Sequence, residues 1–368
     1  MKKTEQLRAA AKLVTHATIG VTNITEGVHR SVKRTMFLEK KSDSVQTTGL
    51  TGLIYKSVRG TTGLVGRAID AALLKIEPLL ATSVDASDIE SKQHQAFLAA
   101  LNGVIGDRLE ADNNPLATTM VFRHQADTRS NKILLVIHGL CMNDLQWTSG
   151  ADNQQINHAE AVAQASGFTP VYLRYNTGRA IEDNGAELNV KLEQLYKDWP
   201  VTVKEINVLV HSMGGLVIRS AAHHADQSTL KLGWRKKLKR IAFLGTPHQG
   251  APLEKAGHWI DLILGSTPYS KPFVALTKLR SAGINDLREG LAHALPKAVA
   301  VFAVAACTTT SRNKATDHVS GDGLVSINSA LSGNLGFTDN NSKVFFKMNH
   351  MQLLNRPEVT QELIKFFL

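Results

Sequence analysis

The stretch that decides the fold is Ile206-Asn207-Val208-Leu209-Val210-His211-Ser212-Met213-Gly214-Gly215-Leu216-Val217. An apolar strand pattern passes directly into a serine, two glycines and a helix-forming run. This context presents a serine nucleophile at a strained turn, and the small residues after it let the next helix pack close to the strand. We therefore interpret Ser212 as a nucleophile and the backbone N–H of Met213 as directed at the reaction centre. The alternative is an ordinary glycine-rich turn.

A second apolar run, Lys132–Ile137, comes earlier and is followed by His138-Gly139-Leu140. Its consecutive apolar residues are typical of a strand that is buried on both faces of a parallel sheet. Backbone N–H groups near Leu140 and Cys141, together with that of Met213, are then expected to bind the negative oxygen that forms during acyl transfer. A plain turn at the strand end is the alternative.

An aspartate follows another predicted buried strand, Ala298–Ala305. Asp322 lies in the glycine-rich loop Ser320–Val325, where a carboxylate is placed to orient a histidine. Asp-Gly is also a common turn dipeptide, and Asp317 is the nearest rival for the role. Of the two we favour Asp322.

A histidine lies just past the last strand-like run, Lys343–Met348, and before a helix predicted at Pro357–Leu368. The pKa of histidine is close to neutrality, so His350 is suited to remove the proton of Ser212. The chain order serine, aspartate, histidine is one that known catalytic triads use.

Five motifs carry a resemblance that covers about residues 118–368. They are Val-His-Ser-Met-Gly-Gly at 210–215, His-Gly-Leu at 138–140, Leu-Gly-Thr-Pro-His-Gln-Gly at 244–250, Asp-Gly-Leu-Val at 322–325 and Asn-His at 349–350. As a set they resemble the lipase/esterase branch of the α/β-hydrolases. The likeness is closest to bacterial triacylglycerol lipases and to the GPI-inositol-deacylase-like lipases.

The resemblance implies an α/β-hydrolase fold, with a mostly parallel sheet flanked by helices, and a serine carboxylester hydrolase acting on lipid-like acyl esters. By position it implies that Ser212 is the nucleophile, Asp322 the acid and His350 the base, with Leu140 and Met213 as oxyanion donors. One residue departs from the pattern. The family usually has a small residue two positions before the serine, where this chain has Val210.

The chain of 368 residues is long enough for one large α/β domain and an additional segment. We predict a helical N-terminal segment over residues 1–115, with a junction near Asp112–Pro115, and a catalytic domain over residues 116–368. An insertion at about residues 251–296 carries apolar residues and is expected to form a cap over the site. The alternative is that these residues are only the buried face of a helix.

The net charge of +10 is concentrated near the N-terminus, where residues 1–75 hold 13 Lys and Arg against 5 Asp and Glu. A basic segment indicates an anionic partner. The segment has few aromatic residues and no nucleic-acid-binding motif, so we expect an anionic membrane surface rather than nucleic acid. For the apolar run at residues 50–79 we favour a helical hairpin that packs on the catalytic domain, and an amphipathic segment at the membrane surface is the alternative.

No cofactor and no metal site is predicted from the sequence, since it has neither a phosphate-binding glycine loop nor acidic or Cys/His clusters at ligand spacing. The two cysteines do not imply a disulfide framework. We found no secretory signal pattern and no run of 18 apolar residues, so we expect a cytoplasmic protein that associates peripherally with a membrane. Two other functions stay open. One is acyl transfer to an alcohol by the same triad, and the other is a membrane-associated scaffold with an inactive hydrolase domain.

Overall fold

The computed structural model of the chain describes residues 92–124, 129–148, 156–250, 281–311 and 320–368. Most of the predicted N-terminal segment (1–115), all of its basic part (1–75) and residues 251–280 of the predicted cap therefore lie outside the described residues. Contacts between residues divide the chain into two compact units. One contains Glu90–Asp112 and Ala117–Leu368, and the other contains Met1–Ile89 and Asn113–Leu116.

The larger unit is built on one seven-stranded sheet. In chain order its strands are β1 (Val121–Arg123), β2 (Lys132–Ile137), β3 (Thr169–Arg174), β4 (Glu205–His211), β5 (Leu238–Leu244), β6 (Ala300–Cys307) and β7 (Ser342–Phe346). Their order across the sheet is β1-β3-β2-β4-β5-β6-β7. All neighbours are parallel except β1, which runs antiparallel to β3.

Helices connect these strands and cover the sheet. They are α1 (Lys92–Ala111), α2 (His158–Ser166), α3 (Ile181–Asp198), α4 (Gly214–Gln227), α5 (Gly233–Lys237), α6 (Ala282–Glu289), α7 (Ile327–Ala330) and α8 (Pro357–Phe367). Short 3-10 helices lie at Asp144–Trp147, Gly333–Leu335 and Met351–Leu354. Within the described ranges, no helix is both long enough and apolar enough to cross a membrane.

The predicted fold class is confirmed: a mostly parallel sheet flanked by helices, as in the α/β-hydrolases. The central strands are buried along almost their whole length, which explains their continuous apolar sequences. The strand predicted at Ala298–Ala305 begins two residues later, at Ala300. Ala298 has a φ of 60°, which does not fit a strand.

Helix α1 was predicted to belong to a separate N-terminal segment that ends near residue 115. Contacts between residues group Glu90–Asp112, which include α1, with Ala117–Leu368. The predicted division of the chain near residue 115 stays a prediction.

Helix α8 provides a test of the core next to the last loop of the chain. Leu363 is fully buried in a cluster with Phe168 and Leu353, whereas Leu368 is 71% exposed. We expect Leu363→Ala to lower the free energy of unfolding by about 2–5 kcal/mol because it leaves a cavity. Leu368→Ala makes the same change at an exposed position, so it should cost less than about 0.5 kcal/mol. Urea denaturation of both variants measures the difference, and equal losses would contradict this packing.

Candidate active site

Ser212 lies at the turn between β4 and α4 and has a φ of 53°. A residue other than glycine rarely adopts this left-handed conformation, and such strain is common at active sites. The surrounding backbone holds the turn in place. The Ser212 N–H donates to the carbonyl of Leu244 at 2.8 Å, and the Ser212 carbonyl accepts from the Thr246 hydroxyl at 3.0 Å.

The structure has no room for a side chain at either of the two glycines after the turn, Gly214 and Gly215. A Cβ on Gly214 would lie 2.7 Å from the carbonyl oxygen of Ile137, and a Cβ on Gly215 would lie 2.2 Å from Oγ1 of Thr246. The chain at this turn is therefore packed directly against the ends of β2 and β5. Val210, which departs from the family pattern, is fully buried in the sheet.

The Ser212 hydroxyl does not support the structure through a hydrogen bond in the described part of the chain. Its residue is 1% exposed, and Oγ has no hydrogen-bond partner among the residues that the structure describes. Buried hydroxyl groups are normally paired, and exceptions concentrate at sites of chemistry. The helix dipole of α4 adds positive potential here, because α4 begins two residues later.

Asp322 and His350 form a buried pair. The His350 Nδ1 lies 2.6 Å from Asp322 Oδ2, and both side chains are 1% exposed. The other carboxylate oxygen, Oδ1, accepts from the N–H groups of Leu324 and Val325 at 2.9 and 2.7 Å, which fixes the carboxylate. The His350 N–H also donates to the Asp322 carbonyl at 3.1 Å.

This pairing sets the tautomer of His350. An ionised carboxylate only accepts hydrogen bonds, so in a neutral imidazole Nδ1 carries the proton and Nε2 carries the lone pair. Nε2 is the atom that a general base needs. The sequence-predicted rival, Asp317, lies outside the described residues.

The structure brings the Asp322–His350 pair to the turn that carries Ser212. A Cβ on Gly245, the residue after the Leu244 carbonyl that binds Ser212, would lie only 2.9 Å from Cε1 of His350. The ring of His211 lies 4.6 Å from the ring of His350, and its Nε2 lies 3.3 Å from the His350 carbonyl. The Asp322–His350 pair thus lies beside Gly245 and His211, at the carboxyl ends of the central strands.

Of the predicted oxyanion donors, Met213 belongs to this turn and Leu140 follows β2. Leu140 and Met213 are buried, and neither of their N–H groups donates to an acceptor in the described part of the chain. The N–H of Cys141 differs, because it donates to Oγ1 of Thr177 at 3.2 Å. Gly139, which precedes Leu140, lies close to the serine, since its Cβ would be 2.9 Å from Cβ of Ser212.

Three further buried histidines surround the site, and burial lowers the pKa of each. The pKa of His138 falls to about 4, and those of His211 and His248 fall well below 6.5. His350 also lowers the pKa of His211, and Arg219 lowers that of His248. These rings are therefore neutral near pH 7.

Two of these histidines, His138 and His248, make contacts that support the loops around them. His138 stacks on Tyr175 with ring centroids 4.5 Å apart, and the Tyr175 hydroxyl donates to the His138 carbonyl at 2.9 Å. Nδ1 of His248 lies 3.1 Å from Nη1 of Arg219. No group of three or more His, Cys, Asp or Glu suitable for a metal ion occurs within the described ranges.

Sequence reasoning missed several residues that support the site. Asp144, just after the oxyanion loop, is buried and forms ion pairs with Arg123 at 2.9 Å and Arg174 at 2.5 Å. Thr177 holds the Cys141 amide, and Thr246 holds the Ser212 carbonyl. Of these only Thr246 lies in a motif that the sequence had singled out, Leu-Gly-Thr-Pro-His-Gln-Gly.

The buried histidines predict how stability depends on pH. A histidine whose pKa is lower in the folded than in the unfolded chain is protonated preferentially on unfolding, so stability is lost as the pH falls below about 6.5. His138 and His158, both with a pKa near 4, should each contribute a slope of up to about 1.4 kcal/mol per pH unit between these values. Urea denaturation at pH 7, 6 and 5 measures the slope.

His158→Gln provides the control, because His158 lies in α2 and bonds to the Leu353 carbonyl at 2.9 Å rather than to the site. This variant should have a smaller slope than the wild type. A wild-type stability that does not change from pH 7 to pH 5 would contradict the neutral state of these rings.

Comparison with solved structures finds similar chains at low sequence identity. The mature lipase BlEst2 of Bacillus licheniformis is 19% identical, covers 67% of this chain and 96% of its own, and has a TM-score of 0.45. The esterase Pf2001 of Pyrococcus furiosus is 12% identical, with 64% and 80% covered and a TM-score of 0.38. An alpha/beta hydrolase superfamily protein of Enterococcus faecalis is 12% identical, with 67% and 94% covered and a TM-score of 0.39.

Likeness at this level assigns no activity or substrate. A search of curated proteins gives no match to the chain. One family model matches residues 108–330, which include Ser212, Asp322 and the oxyanion loop but not His350. Since this match spans more than half of the chain, the protein belongs to the family described as Domain of unknown function (DUF7379).

Proposed function

We propose that the protein is a serine carboxylester hydrolase that acts on acyl esters through an acyl-enzyme. The observation that carries this proposal is the buried Asp322–His350 pair at 2.6 Å, whose histidine ring lies 4.6 Å from that of His211, the residue before a strained, buried Ser212 whose Oγ has no partner among the described residues. The strained backbone, the buried hydroxyl without a partner and the buried Asp–His pair each cost free energy of folding, so stability does not explain them. A nucleophile beside an oriented base is the arrangement that covalent catalysis requires.

The first half of the proposed reaction forms the acyl-enzyme. Nε2 of His350 takes the proton of Ser212 while Oγ attacks the ester carbonyl, whose oxygen becomes negative. The N–H groups of Leu140 and Met213 bind this oxygen, and one such donor is typically worth about 3–4 kcal/mol of the barrier. His350 then passes its proton to the leaving alcohol, and the C–O bond of the ester breaks.

The second half repeats these steps with water. His350 takes a proton from water, the resulting hydroxide attacks the acyl carbonyl, and Ser212 leaves with the proton that His350 returns. His350 is positively charged in both tetrahedral states. The neutral rings of His138 and His211 add no like charge beside it, and the Asp322 carboxylate stabilises it.

A lipid-like substrate is part of the proposal, and it rests on the family resemblance and on the apolar residues of the predicted cap. The predicted recruitment to an anionic membrane rests on the 13 Lys and Arg of residues 1–75. Binding of the full chain to vesicles with and without anionic phospholipid, at low and high salt, tests the recruitment separately from catalysis.

The triad makes a direct prediction about activity. Ser212→Ala should lower kcat for 4-nitrophenyl butyrate by about 10⁶ and remove labelling by a fluorophosphonate, because the nucleophile is lost. Asp322→Asn should lower kcat by about 10⁴, because the amide no longer sets the tautomer of His350. Steady-state kinetics and the rate of labelling measure both effects.

Ser228→Ala is the matched control. Ser228 caps the far end of α4, whose 14 residues separate it from Ser212 by about 21 Å. This variant should keep the activity of the wild type. Hydrolysis by a folded Ser212→Ala protein at the rate of the wild type would overturn the assignment.

Two other outcomes of these measurements correspond to the other functions that the sequence left open. Acyl transfer uses the same triad with an alcohol in place of water, so ester products in the presence of added alcohols identify it. A non-catalytic scaffold predicts that the folded wild type neither hydrolyses esters nor reacts with the fluorophosphonate.

A further inference from the structure

Helix α1 contacts the oxyanion loop at a point where it leaves no space. A Cβ on Gly103 would lie 2.2 Å from Sγ of Cys141, 3.0 Å from its Cα and 3.1 Å from its N. Two of these three atoms belong to the backbone, which cannot rotate away as a flexible side chain would. Gly103 thus fixes how closely α1 approaches the loop that carries Leu140.

Cys141 is held from the other side as well. Its N–H donates to Oγ1 of Thr177 in the loop after β3, at 3.2 Å. Cys141 has a φ of 58°, a conformation that a residue other than glycine keeps only when its surroundings enforce it. Burial raises the pKa of its thiol to about 12, so the side chain acts through its shape and not as a thiolate.

Helix α1 is itself fixed to the start of α6 and to the loop after β3. The Ser281 hydroxyl donates to the Gly103 carbonyl at 2.7 Å, and Oδ2 of Asp107 accepts from the Ala282 N–H at 3.0 Å. Asn176 donates from Nδ2 to the Gly106 carbonyl at 2.9 Å. Helix α1 has a kink at Ile105, with φ −138°, between Gly103 and Gly106.

We propose that Gly103 and Thr177 are positioning residues that set the conformation of Cys141 and so place the Leu140 N–H for the oxyanion. This inference rests on the proposed function. An oxyanion donor works only within about 2.7–3.1 Å of the oxygen that becomes negative. Because Leu140 precedes Cys141 directly, a change in the backbone of Cys141 moves this donor.

Thr177→Val tests the hydrogen bond without changing the shape of the residue. We expect kcat for 4-nitrophenyl butyrate and the rate of fluorophosphonate labelling to fall by about tenfold or more while KM changes little, because the donor acts on the transition state. Thr177→Ser retains a hydroxyl group and should restore most of kcat.

Thr169→Val is the matched control for Thr177→Val. Thr169 is also a buried threonine whose Oγ1 accepts from a backbone N–H, that of Ser130 at 2.8 Å, but it begins β3 and lies at the opposite end of the strand from the site. We expect Thr169→Val to lose about as much thermal stability as Thr177→Val, while its kcat stays that of the wild type. If both variants lose kcat equally, the role of Thr177 is only structural and the inference is wrong.

Gly103→Ala tests the steric contact. We expect a fall in kcat of about tenfold to a hundredfold with little change in KM, because the added Cβ displaces the loop. In a Cys141→Gly background the same change should have a smaller effect, because Sγ is gone and glycine accepts a positive φ. Gly333→Ala is the control, since a Cβ there meets nothing within 4 Å.

The outcomes separate this inference from the proposed function. A wild type that neither hydrolyses the ester nor reacts with the fluorophosphonate would refute the proposed function. A wild type that does both, with Ser212→Ala inactive, supports that function. In that case, unchanged kcat in folded Gly103→Ala and Thr177→Val overturns the positioning role alone. If Gly103→Ala fails to fold, the comparison of Thr177→Val with Thr177→Ser and Thr169→Val tests the positioning role in its place.

Discussion

The rest of the site depends on one constraint, the left-handed turn at Ser212. A φ of 53° at a serine costs of order 1 kcal/mol or more, so the surrounding structure must enforce it. It does so through the Leu244 carbonyl and the Thr246 hydroxyl, both at the end of β5, and through glycines that let neighbouring backbones touch. The same close approach that strains the serine also brings the loops after β2, β4 and β5 within reach of each other.

The buried histidines near this turn have different electrostatic surroundings. Burial disfavours the charged form of each, and His138 and His211 have no carboxylate bonded to the ring within the described residues, so their pKa falls. Nδ1 of His350 lies 2.6 Å from a carboxylate that two backbone N–H groups hold in place. A positive charge on His350 therefore has a fixed counterion, whereas one on its neighbours would not.

The sheet was predictable because its central strands are continuous apolar runs, and the order of the motifs then placed Ser212, Asp322 and His350 at strand ends. Strand β1, with only three residues and exposed side chains, gave no comparable signal. Helix α1 was assigned to a separate segment because residues 1–115 carry none of the catalytic motifs. Gly103 and Gly106 are required by what they touch, Cys141 and Asn176, and contacts between distant parts of a chain do not appear in local patterns.

These contacts connect the oxyanion loop to Ser281, which lies within the predicted insertion at about residues 251–296. Helix α1 touches Cys141 through Gly103, and the carbonyl of that same glycine accepts the hydroxyl of Ser281, the first described residue after residue 280. Ser281 is fully buried and caps α6 by accepting from the Ile284 N–H. A displacement of Ser281 must therefore break its bond to Gly103 or carry α1 with it. If α1 moves, its contact through Gly103 with Cys141 moves as well. Helix α1 therefore supports both Ser281 in the predicted insertion and the proposed oxyanion donor at Leu140.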